Sequence, residues 1–146
     1  MTTLQRFTQY KYTDTTNLWQ EELQAWVPDV MFDAHVHLGP PQAMAPIVGM
    51  RAAIPLTSYS SLTWNELEPF LNQLYSNKTL EGLIAFGFPL QEVDYGIANN
   101  YIANLVSENE IITGFILSNP YDTKSTIEQL MLRSHTYPRC VVLHFL

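Results

Sequence analysis

The fold class this chain predicts is α/β, with parallel strands under covering helices, as in the N-terminal half of a (β/α)8 TIM-type barrel. Three observations predict it. Strand-like apolar runs alternate with helix-like segments, and strands joined through helices run parallel. The later strand runs are apolar on both faces, which fits burial beneath helices. About four such strands occupy the 146 residues, half the complement of a barrel of about 250 residues.

The bulk properties narrow the function classes. At 47% hydrophobic the chain can bury a core. A formal net charge of -7 repels phosphate backbones, so nucleic acid is not an expected partner. The single cysteine, Cys140, permits neither an intramolecular disulfide nor an all-cysteine zinc site. "MTTLQRFTQYKYTD" has no apolar signal core, and no apolar run approaches the ~20 residues that cross a bilayer. A cytoplasmic location without membrane contact is the expectation.

Residues 1–29 read as an N-terminal helical extension. In "TTNLWQEELQAWV", Leu18, Trp19, Leu23, Trp26 and Val27 recur at helical spacing. Asp14, Thr15 or Thr16 can cap the start, and Pro28 stops it. "VMFDAHVHL" follows as a strand. Unbroken alternation puts Asp33, His35 and His37 on one face and Phe32, Ala34, Val36 and Leu38 on the other. The Pro-rich stretch from Gly39 to Ser61 reads as a long loop with short ordered pieces, and long loops are uncommon unless functional. "TWNELEPFLNQLYSN" is helical, starting either at a Thr63/Glu66 capping box or at Pro69. "GLIAFGFPL" is a buried strand. "DYGIANNYIANLVSEN" is a helix capped by Asp94 with Ile97, Tyr101, Ile102 and Leu105 on one side, and Asn99 and Asn100 read as solvent or capping groups. "IITGFILSNP" is a strand. "DTKSTIEQLMLRSH" is a helix capped by Asp122 or Thr123, burying Ile127, Leu130 and Met131. "CVVLHFL" is a last strand.

The histidine pair carries the chemistry. Alternate strand residues project to the same side, about 6.5–7 Å apart at the backbone, and two imidazoles can then converge on one ion at about 2.0–2.1 Å each. At the carboxyl end of a first barrel strand they would point into the mouth where barrel enzymes keep their sites. Gly39 lets the chain turn away without a side chain obstructing the ion. Asp33 either orients an imidazole through its ring N–H or is a buried, hydrogen-bonded carboxylate. The bland alternative is an alternating polar and apolar strand of a half-exposed sheet. Against it stand the pair's place in the first strand, the glycine turn after it and the absence of a comparable polar face in later strands. No nucleophile-elbow pattern surrounds Ser58, Ser60 or Ser61. Tyr59 and Trp64 either line a cleft or pack in the core. Cys140 reads as a small buried hydrophobe, and His135 favours its helix C-terminus electrostatically.

These residues also carry a resemblance. "FDAHVHLGPP" resembles the first-strand metal motif of the amidohydrolase superfamily, specifically its amidohydrolase-related branch of metal-dependent hydrolases. "LIAFGFPLQEVDYGIANNYIANL" and "FILSNPYD" are similar to later parts of that branch, so the likeness runs from Met31 to Leu146. It implies a distorted (β/α)8 barrel holding one or two divalent ions, commonly zinc, with His35 and His37 as first-strand ligands. Metal-activated water would attack an amide, ester or ring bond of a small-molecule substrate, and some members decarboxylate instead. Further ligands and the aspartate base would come from later strands, which this sequence does not include. In "RCVVLHFL", Val142 stands where relatives often place a metal-bridging lysine and Phe145 where they place a proline, so a bridged two-metal site is not expected. His144 matches the motif's histidine, either as a structural donor or as a ligand or substrate contact.

The expectation for residues 30–146 is therefore a partial barrel, truncated within a strand whose unpaired edge invites self-association, and inactive as an isolated chain. Two alternatives stay open. One is a non-catalytic remnant that binds a metal or a partner. The other is a TatD-type deoxyribonuclease, which also opens with an Asp-x-His-x-His-Leu strand; the acidic charge weighs against it.

Overall fold

The structure, a computed structural model, describes residues 18–53, 61–119, 121–136 and 139–144, with residues 53, 133, 134 and 142–144 described by their main chain alone. Four strands form one sheet: β1 (Val30–His37), β2 (Thr79–Phe86), β3 (Ile112–Ser118) and β4 (Cys140–His144). They lie in the order β1-β2-β3-β4, and every neighbouring pair is parallel. Three helices connect them in turn: α1 (Trp64–Leu74), α2 (Tyr95–Glu108) and α3 (Lys124–Ser134). The protein is thus mixed α/β with a sequentially ordered parallel sheet. No helix among the described residues is long and apolar enough to cross a membrane.

Local chemistry sets the helix starts. The Glu66 carboxylate accepts from the Thr63 backbone N–H (2.9 Å) and hydroxyl (2.7 Å), a capping box that starts α1 at Trp64 and leaves Pro69 inside the helix. Asp94 caps α2 by accepting the Ile97 N–H at 3.0 Å. Thr123, rather than Asp122, receives the first-turn N–H of α3, from Thr126. At its far end α2 is closed by Arg139, whose guanidinium donates to the carbonyls of Val106 (2.6 Å) and Asn109 (2.9 Å).

The two faces of the sheet differ. Val36, Ala85, Gly114 and Cys140 form one row across the four strands. On that side Leu83, Ile112 and Ile116 pack with Trp64 and Leu71 of α1 and Ile102, Leu105 and Val106 of α2, and Leu130 of α3 lies against the same cluster. Each such side chain is worth about 1.5–3 kcal/mol when fully buried, so this single cluster holds sheet and helices together. Gly114 is the point of closest approach: a Cβ there would lie 2.8 Å from Val106 Cγ2 and 2.9 Å from both Ile102 Cγ2 and Cys140 Sγ. The adjacent row, His37, Phe86, Phe115 and Val141, faces the other way. Among the described residues no helix covers this face, and its outlying residues Phe32 and Val141 are 57% and 56% exposed.

Three expectations change. Among the described residues, the anticipated helix ending at Val27 comprises α-helical Leu18 and a five-residue π-helical turn, Trp19–Leu23. Its i→i+5 bond, Gln24 N–H to Trp19 O at 2.7 Å, breaks the 3.6 period, so Trp19 is buried while Trp26 is 87% exposed. The proposed caps Asp14, Thr15 and Thr16 lie outside the described residues, as do Ser58, Tyr59 and Ser60. On α3, Met131 is exposed rather than buried. The third change is in β1. Asp33 pairs with Leu83 and Val36 with Ala85, so three residue steps on β1 oppose two on β2. This β-bulge interrupts the alternation.

The segment after β1 is ordered by short pieces, as its composition suggests: 3-10 turns at Pro41–Ala43 and Gly49–Ala53. It is tied at its neck by two backbone bonds between Gly39 and Leu62 and to the β2–α2 connection by Ala45 N–H to Glu92 O and Asp94 N–H to Ala43 O. The Arg51 guanidinium pairs with the Glu92 carboxylate across the same seam.

Candidate metal centre

The carboxyl end of β1 brings His35 and His37 together. Their Nε2 atoms are 3.1 Å apart, and the rings meet edge to face with centroids at 4.8 Å. Both lie against Phe86, at 4.9 and 4.5 Å between centroids, and His37 stacks on Phe88 at 5.3 Å. His35 is exposed and His37 is half-buried. His35 lies in the bulge and His37 just beyond it, and the contact between their rings puts both side chains on one side of the strand.

The protonation pattern follows from one contact. His37 Nδ1 is 3.0 Å from the carbonyl oxygen of Gly87. A carbonyl only accepts, so Nδ1 carries the proton and Nε2 of the neutral ring presents a lone pair. Burial lowers the pKa of His37 and the charge of a protonated His35 lowers it further, while the Gly87 bond acts in the opposite direction. The ring is accordingly neutral at neutral pH. His35 Nε2 faces the His37 lone pair, so this contact needs something positive between the nitrogens: the proton of His35, or a cation.

The spacing suits a cation. Two nitrogens each about 2.0–2.1 Å from one ion and 3.1 Å apart subtend about 100° at it, close to a tetrahedral angle. A carbonyl holding the far nitrogen of a ligand imidazole is the usual support in such sites. Among the described residues no third His, Cys, Asp or Glu joins the pair into a group of three.

The other candidates take different places. Asp33 pairs with Leu83, which belongs to the helix-covered side, so the bulge separates it from the imidazole face. Its carboxylate accepts the backbone N–H of His35 at 3.0 Å, a local bond that stabilises the bulge rather than an imidazole. The backbone of His144 pairs with Ser118 at the end of β4, and its side chain lies outside the described residues. The Trp64 side chain is in the core, and its backbone N–H donates to the Tyr101 hydroxyl at 2.8 Å. At Gly39 a Cβ would meet the Phe88 ring at an ordinary 3.5 Å, so clearance does not demand glycine there. An open groove of about 470 Å3 runs along the amino-terminal half of β1 beside Val27, Tyr75 and Leu80, apart from the imidazoles.

Sequence reasoning missed four contributors: Phe86, Gly87, Phe88 and Asn99. The first three sit in "FGFP", where the glycine and proline mark the end of β2 without revealing that the Gly87 carbonyl turns to His37. Asn99, read as a solvent or capping group, is instead buried and bonded to the main chain of β3.

The chain matches no protein-family model, no curated protein and no solved structure.

Proposed function

We propose that this chain is the N-terminal part of a metal-dependent hydrolase of the amidohydrolase type, with its sheet forming the first half of a (β/α)8 barrel. His35 and His37 would hold a divalent cation through their Nε2 atoms, and zinc suits neutral imidazole donors. The observation that carries this reading is the 3.1 Å approach of the two Nε2 atoms, with the His37 tautomer fixed by Gly87. The half-barrel reading is supported by the sequential strand order and by helices gathered in one cluster on one face. A doubly wound sheet would reverse its order and carry helices on both faces.

A cation bound there supplies Lewis acidity, making water a nucleophile near neutral pH for attack on an amide, ester or ring bond, or assisting a decarboxylation. The chain's own residues do the preparatory work. Gly87 keeps Nδ1 of His37 occupied, Phe86 packs against both rings and Phe88 stacks on His37, and the bulge after Asp33 sets the direction of His35.

Zinc titration of the wild type against His35→Ala/His37→Ala tests the reading, with binding followed calorimetrically and by cobalt substitution spectra. Weak binding is expected for the wild type, because two imidazoles leave an ion largely hydrated, and none at this site for the double variant. Indistinguishable titrations for the two proteins would remove the metal role.

A further inference from the structure

β3 extends further than the strand beside it. Pairing with β2 stops at Phe86–Phe115, whereas β3 continues to Ser118 and stays paired with β4. In a parallel ladder the N–H and C=O of one residue point to the same neighbour and alternate along the strand. Leu83 N–H donates to Ile111 O, and Leu38 N–H donates to Phe86 O. By that alternation Leu83, Ala85 and Gly87 turn towards β3, and Thr113, Phe115 and Leu117 turn towards β2. One more rung would give the Leu117 N–H to the Gly87 carbonyl and offer the Leu117 carbonyl to the N–H of residue 89. Residue 89 is proline and has no N–H. β2 cannot complete that rung.

Asn99 of α2 completes it instead. Its carboxamide, with the residue only 7% exposed, accepts the Leu117 N–H at Oδ1 (2.9 Å) and donates from Nδ2 to the Leu117 carbonyl (2.8 Å). A side-chain amide offers the same donor and acceptor as a peptide group. With Leu117 satisfied from α2, the Gly87 carbonyl is left for another donor, and it accepts His37 Nδ1. Gly87 is also wedged at this junction: a Cβ there would lie 3.2 Å from Ala98 Cβ and 3.4 Å from Leu117 Cδ1.

We infer that Asn99 is a positioning residue for His37: by taking the place of the missing rung on Leu117, it frees the Gly87 carbonyl to hold the imidazole with Nδ1 protonated and Nε2 bare. The inference deepens the proposed metal centre and rests on that reading for its functional meaning. Its physical content, a competition of two donors for one carbonyl, belongs to the metal-free protein.

The test is made on metal-free, 15N-labelled protein at a pH where His37 is neutral, by long-range 1H–15N correlation of the imidazole nitrogens. The wild type is expected to show Nδ1 protonated and Nε2 unprotonated. Asn99→Ala should lose that pattern towards the Nε2-protonated form, because the Leu117 N–H now competes for Gly87. Asn99→Asp keeps an acceptor for Leu117 and should retain the wild-type pattern even where it lowers stability. An unchanged tautomer in folded Asn99→Ala overturns the inference, as does an equal loss in Asn99→Asp. Should Asn99→Ala not fold, trans-hydrogen-bond couplings in the wild type decide. Couplings are expected from Leu117 N to the Asn99 carboxamide and from His37 Nδ1 to the Gly87 carbonyl, and the absence of either overturns the inference. Zinc binding by Asn99→Ala is expected to weaken about tenfold, in line with other losses of ligand support. If instead the wild type binds no zinc at His35 and His37, the metal centre fails while the tautomer result stands independently.

Discussion

Burial of a neutral imidazole has a signed consequence at the scale of the single residue. The folded pKa of His37 lies below 6.5, so on acidification the unfolded chain takes up its proton first. The stability contributed by His37 is complete above 6.5 and is lost as pH falls through 6.5 towards the lower folded value. The urea midpoint of the metal-free protein should therefore drop between about pH 7.5 and about pH 5.5, and drop less in His37→Gln. Equal slopes for the two proteins would mean the ring is not held neutral by the fold. The pairing of His35 with His37 was legible in the sequence because two-residue alternation is a property of the strand itself. The partner of Nδ1 was not, because Gly87 lies 50 positions away and nothing local marks which carbonyl turns inward. Asp33 misled for a similar reason: its side depends on the register of β2, and a bulge there leaves the amino-acid pattern unchanged.

Among the elements, contact between α2 and the sheet is the tightest seam. Gly114→Ala would push a methyl against Val106, Ile102 and Cys140, all packed in the same apolar layer. It is expected to cost about 1–3 kcal/mol by overpacking, measurable as a lowered urea midpoint with an unchanged m-value. The seam between the segment after β1 and the β2–α2 connection carries an ion pair. Arg51 holds the Glu92 carboxyl down at about 2, so what this pair contributes is present above 4.5 and lost as pH falls from there towards 2. Glu92→Gln should raise amide exchange at Ala45 by a few-fold, a modest effect because the Arg51 side chain stays 38% exposed; unchanged exchange would show that the backbone bonds alone fasten this segment. Caps at Thr63 and Asp94 could be read directly, since a cap and its partner lie within one turn. The helix expected around Leu18–Val27 could not be corrected from sequence: apolar spacing suggests a period, and only the main-chain bond at Trp19 reveals a wider turn. Asn99 stayed hidden because its role exists only once β3 outruns β2.

For the molecule as a whole, strand order and helix placement followed from the alternation of elements, while the asymmetry of the sheet did not. Apolar faces on both sides of the later strands read as burial beneath helices; among the described residues the helices gather on one side, and the side bearing Phe32, Phe86, Phe115 and Val141 has none. The net charge is -7. Duplex DNA should therefore not be retained by the protein in gel-shift experiments at physiological salt. A mobility shift that weakens steeply with added salt would point to phosphate recognition and away from a small-molecule substrate.

Between Asp33 and Val36, β1 holds one more amino acid than the facing stretch of β2. Ala34 and His35 share the place opposite Ile84, between rungs fixed at Leu83 and Ala85. Deleting Ala34 would then shorten the chain without displacing either flanking register, a change that would slip an ordinary strand and turn it inside out. Such a protein should still fold, yet with the surplus gone the first imidazole would stand differently against the second, so fold and ion grip would part company in one edit.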